Sequence, residues 1–127
     1  MSGIKKSDPT SIISMIHGSE ITPKPFEQEI LLFETIIAGT SHIEGIHDLD
    51  LQIGDHLSFF RESDNEYDNQ AIVIKTNHQE KIGYVPKSDN LVFSRLMDAG
   101  KHLFGKIKAK DLKGQWLVIK IEVYLLD

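Results

Sequence analysis

The sequence predicts an all-β domain, a small barrel or strongly curved sheet with one helix set into it. Three observations carry that prediction. About six short segments have strand character, and the last alternates cleanly between apolar and polar residues. One segment among them repeats with helical period instead. The 127 residues, 40% hydrophobic and 26% charged, suffice for a single core and are not the composition of a disordered chain.

Residues 1–28 read as an accessory segment. Asp8-Pro9 ahead of Ile12, Ile13, Met15 and Ile16, closed by Gly18, predicts a short helix capped by Asp8. Ile21 to Pro25 then forms an extended, proline-stiffened connector. Such a segment either packs on the domain or drives homo-oligomerisation, and both readings stand. The β domain is expected over 29–127.

Within it, Phe33 to Thr40 is the first strand and His56 to Arg61, entered through Gly54-Asp55, the second. Ala71 to Lys75 is the third, its near-continuous apolar run implying burial on both faces. Lys81 to Val85, stopped by Pro86, is the fourth. A helix follows, capped by Ser88 or Asp89, with Val92, Phe93, Leu96 and Met97 on one face and Gly100 as its stop.

In the last strand Leu117, Ile119, Ile121, Val123 and Leu125 face one way, and Trp116, Val118, Lys120, Glu122 and Tyr124 the other. In the strand before it Lys106, Lys108 and Lys110 oppose Ile107 and Ala109. A two-residue turn would pair the apolar set of one strand with the polar set of the other. A three-residue loop or a bulge around Leu112 to Gln115 is therefore expected, leaving the three lysines beside Trp116 on the outer face.

Net charge is −5, but its distribution is uneven. From His42 to Asp68 eight acids stand against Arg61 alone, and from Lys81 to Lys113 eight bases against three acids. The basic stretch is either a solvated face or a guide for an anionic ligand, and the acidic stretch 42–68 could dock a basic protein partner. The longest apolar runs, such as Ile30 to Phe33, fall far short of the roughly 20 residues that cross a bilayer, so no membrane partner is expected. Met1 to Lys6 leads into polar residues, so no secretory signal is expected. The absence of cysteine excludes disulfides, thiolate metal sites and cysteine nucleophiles, and makes the cytoplasm the expected compartment.

The densest chemistry lies between the second and third strands, in Arg61-Glu62-Ser63-Asp64-Asn65-Glu66-Tyr67-Asp68-Asn69-Gln70-Ala71-Ile72. A loop of turn formers holding one large ring among acceptors is a place where ligands are held. The plainer reading of the same residues is an Asx-type turn closed by Asn65 and Asp68, with Tyr67 plugging the barrel end.

Arg61-Glu62, Asn65-Glu66-Tyr67-Asp68 and Ala71-Ile72, followed by Lys81-Ile82-Gly83-Tyr84-Val85-Pro86-Lys87, resemble the HIRAN domain. Ala38-Gly39-Thr40, Gly54-Asp55 and Leu96 to Lys101 extend the resemblance, which covers about Phe33 to Asp127. It implies a small OB-like β-barrel that binds without catalysis and needs no cofactor. It also implies single-stranded DNA as the partner, with capture of free 3′ ends in DNA repair or replication-associated processes. Carried over by position, Tyr67 stacks on a terminal base and Asp68 accepts a hydrogen bond from the 3′ hydroxyl. Asn65 supports the loop, while Tyr84 and Lys87 contact the penultimate nucleotide or a phosphate. The chain departs from the family pattern at Glu66, which replaces a proline, and at Gln70, which replaces an asparagine. Ser41-His42 stands where the eukaryotic end-binders carry Arg-Tyr. A cation and a stacking ring are lost there, with His42 a partial substitute and Ser41 none.

Other constellations are poorer. The six histidines lack HxxxH or HExxH spacing, and Asp64, Glu66 and Asp68 lack the glycine and glutamate of a calcium loop, so no metal is expected. No phosphate loop, nucleophile elbow or paired-carboxylate frame is legible, and no enzyme is expected. Trp116 is either a ring covering the sheet or, beside Lys108 and Lys110, a further stacking platform.

Overall fold

The computed structural model describes residues 28–127, so the helix and connector expected before Gln28 lie outside the described residues. Six strands and one helix follow: β1 (Glu29–Ile36), β2 (His56–Arg61), β3 (Ile72–Thr76), β4 (Lys81–Tyr84), α1 (Lys87–Asp98), β5 (His102–Lys113) and β6 (Trp116–Leu126). Two single 3-10 turns, Thr40–His42 and Ile46–Asp48, lie between β1 and β2. The strands form one antiparallel sheet in the order β1-β6-β5-β2-β3-β4.

The two outer strands of that order meet. Beyond β1, the Ala38 N–H donates to the Tyr84 carbonyl (2.8 Å) and the Tyr84 N–H to the Ala38 carbonyl (2.9 Å), curling the sheet into an OB-like barrel. Gly83 allows this seam. A Cβ there would stand 2.4 Å from Ile37 Cγ2 and 2.6 Å from the Ala38 oxygen, so only glycine lets the backbones approach.

The alternation read from sequence becomes the core. Ile119, Ile121 and Val123 of β6 face Leu57 and Phe59 of β2, Ile72 and Ile74 of β3, and Ile107 of β5. Ile72, Val73 and Ile74 are all buried, as the apolar run predicted. Helix α1 closes one end by inserting Phe93 edge-on between Phe33 (5.4 Å) and Phe59 (5.1 Å).

Four expectations are corrected. The first strand lies at Glu29–Ile36, earlier than Phe33 to Thr40, because the chain turns at Gly39, whose φ is 77°. Pro86 and not Ser88 or Asp89 occupies the N-cap of α1; the Asp89 carboxylate instead accepts a 2.6 Å bond from the Thr35 hydroxyl, tying the helix to β1. Val92 points outward, leaving Phe93 as the buried anchor with Leu96 and Met97 beside it.

The fourth concerns the β5–β6 hairpin. Its turn is short, with Lys113 paired directly to Trp116, and the register changes between Ile107 and Ala109, with Lys108 as the extra residue. The bulge that parity requires is present, but at Lys108 and not around Leu112 to Gln115. Beyond Ile107 no residue of β5 is buried, so β5 is free to run in the other register there while Ile119 of β6 stays in the core. The lysines are consequently dispersed. Lys106 opposes Glu122, Lys108 bonds Glu34 of β1, and Lys110 opposes Ile119 on the other side and reaches the Leu51 carbonyl.

Candidate functional site

Glu62 to Ala71 links β2 to β3, and its ends are closed by a bond from the Glu62 N–H to the Ala71 carbonyl (2.9 Å). Between them the side chains satisfy the backbone. The Asn65 amide oxygen accepts the N–H groups of Tyr67 (2.8 Å) and Asp68 (3.0 Å), and Asp68 Oδ1 accepts that of Gln70 (2.9 Å). These are the Asx-type turns expected of such residues. Tyr67 does not plug the barrel end, however: it is 87% exposed, and its ring stands clear in solvent.

Two further bonds lock the loop to its surroundings. Asp68 Oδ2 accepts the side-chain amide of Asn90 (2.7 Å), a buried residue of α1. Glu62 Oε1 accepts the Asn65 amide (2.7 Å) and the Tyr84 hydroxyl (2.8 Å), and Lys81 donates to that hydroxyl (2.8 Å) with its ammonium 4.5 Å from the ring centroid. The Asn65 amide first, and then the Tyr84 phenol, hold the Glu62 carboxyl below the usual carboxylate range against the opposing effect of burial. Glu62 is thus tied down by two donors.

The result is a cavity of about 400 Å³ beside the barrel seam. Ala38, Ala71 and Val85 supply apolar lining, with Tyr84, Tyr67, Asn65, Asp68, Asn90 and Lys87 around them. Asp68 has used one acceptor position on each oxygen, and an ionised carboxylate has about four. The cavity offers a free ring, a fixed carboxylate with acceptor capacity left, and a cation at the positive end of α1. Among the described residues no group of three or more histidines and carboxylates is placed to hold a metal.

Five of the residues singled out from sequence therefore converge: Asn65, Tyr67, Asp68, Tyr84 and Lys87. Ser41 and Trp116 line a second, larger groove, His42 lies exposed on the turn beside it, and Lys108 and Lys110 lie outside the first cavity. Sequence reasoning missed Asn90 and the holding role of Glu62. An asparagine inside a helix, one turn after a proline start, was the available signal for the first.

A family model for the HIRAN domain matches residues 30–126. Among solved structures, a protein from Lactobacillus plantarum is similar at 26% identity with a TM-score of 0.70, covering 80% of this chain and 98% of that one. The HIRAN domain of human HLTF is similar in fold at 14% identity with a TM-score of 0.62, covering 77% and 78%. Comparison with curated protein sequences gives no match.

Proposed function

The chain belongs to the HIRAN domain family, and on that premise we propose that residues 29–127 form a non-catalytic module binding single-stranded DNA at a free 3′ end. One observation carries this reading: the Asp68 carboxylate is held from two sides next to an almost fully exposed Tyr67 ring. Rings held out in water at no packing gain suit a stacking partner. Base stacking on such a ring contributes about 1–3 kcal/mol.

The carboxylate supplies the preference for an end. A hydroxyl donates to Asp68, whereas a phosphate in the same place would meet a like charge. At about 4 Å and a near-surface dielectric that repulsion is on the order of 4 kcal/mol. A terminal 3′ hydroxyl fits, and a 3′ phosphate or an internal phosphodiester does not. Lys87 stands on the rim to take the phosphate that follows.

Fluorescence anisotropy with a labelled single strand tests this. Binding should weaken as salt rises, duplex with blunt ends should compete poorly, and Tyr67→Ala should abolish most of the affinity. Salt-independent or negligible binding at low ionic strength overturns it and favours a protein partner for the acidic 42–68 stretch.

A further inference from the structure

The larger groove, about 1020 Å³, runs between the turns that follow Gly39 and the tip of the β5–β6 hairpin. It shares a wall with the terminal cavity: Gly39 lines one and Ser41 the other. The residue between them, Thr40, is wholly buried, and its hydroxyl donates to the Leu117 carbonyl (2.7 Å). That bond clamps the shared wall against β6 at the residue next to Trp116. The route from the first cavity to the indole is therefore short and rigidly built.

Trp116 is 44% exposed and Leu112, across the hairpin tip, 58%. Trp116 pairs directly with Lys113 across the ribbon, so a lysine is its ladder neighbour. The groove also contains Ile43 and Asp48. Apolar surface and a carboxylate inside, with a lysine as the ladder neighbour of Trp116, suit a strand that turns its bases inward and its phosphates toward solvent.

We propose that this groove carries the nucleotides on the 5′ side of the captured end, with a base stacked on Trp116. The inference rests on the terminal-cavity reading and extends it from one nucleotide to a continuous track.

Trp116 is the chain's single tryptophan, so its emission reports on this groove and on nothing else. The full chain is titrated with thymidylates bearing a 3′ hydroxyl, one a dinucleotide and one about eight nucleotides long, within the span of a single OB-type site. Both should compete with a labelled strand, but only the longer should quench the indole, and it should bind roughly 5- to 150-fold more tightly, the equivalent of one stacked base. Trp116→Ala should remove that length increment without changing dinucleotide binding, and Trp116→Phe should restore part of it. A longer strand that binds without altering the emission, or a Trp116→Ala protein that keeps the full increment, overturns the proposal. Failure of the dinucleotide to bind at all is a different result, and it removes the terminal-cavity reading itself.

Discussion

The loop that carries Tyr67 and the hairpin that carries Trp116 both lift an aromatic ring out of the barrel, and they are held up by different means. The loop is fixed by its own side chains: Asn65, Asp68 and Glu62 accept bonds from its backbone, from α1 and from β4. The hairpin is fixed by the strand ladder, which continues to the Lys113–Trp116 pair, and by a glycine at the turn with φ 65°. A loop built from side-chain bonds sets single groups at fixed positions, which suits recognition of a chain end. A ribbon built from backbone bonds presents a surface, which suits tolerant stacking.

The largest effect is expected where the side-chain construction is broken. Asn65→Ala removes two bonds to backbone N–H groups and one to Glu62, each a net contribution of about 0.5–1.5 kcal/mol, and should lower stability in denaturant unfolding by about 1–3 kcal/mol. The same substitution should also abolish end binding. Tyr67→Ala should separate the two quantities: affinity falls by about 1–3 kcal/mol while the unfolding midpoint stays in place, because the exposed ring stabilises nothing.

Gly114→Ala breaks the other construction. A Cβ there meets nothing, so its cost is the left-handed backbone alone, about 1 kcal/mol of stability, with binding at the terminal cavity unchanged. Lys87→Ala should weaken binding and reduce the slope of log K against log salt by about 0.7, the share of one phosphate contact on a single strand.

The smallest effect is a pH response confined to the loop. The Glu62 carboxyl is lowered in the folded protein, so its contribution is complete above the ordinary carboxylate value of 4.5 and is lost as pH falls through the lowered one. Amide resonances of Tyr67 and Asp68 should therefore shift in acid before those of Ile121 in the core. Simultaneous movement of both sets would deny the loop its separate anchoring.

The same contrast explains what the sequence made legible. Ile119, Ile121 and Val123 announce the core because a strand with one buried face must alternate, and the helix announces itself around Phe93 for the same reason. Asn65, Tyr67 and Asp68 are legible as turn chemistry, since each acts within a few residues of itself. The Asp68–Asn90 and Glu62–Tyr84 bonds join residues 22 positions apart, and no local pattern encodes them. The bulge at Lys108 was legible as a need but not as a place, because parity only requires that one extra residue occur somewhere before the core begins.

End discrimination tests the central claim most directly. Two single strands of one sequence, differing only in a 3′ hydroxyl or a 3′ phosphate, are compared by anisotropy on the wild-type protein and on Asp68→Asn. The wild type should prefer the hydroxyl by at least about tenfold, and the variant, relieved of its charge, should lose most of that preference. Equal affinity of the wild-type protein for both strands would contradict the account.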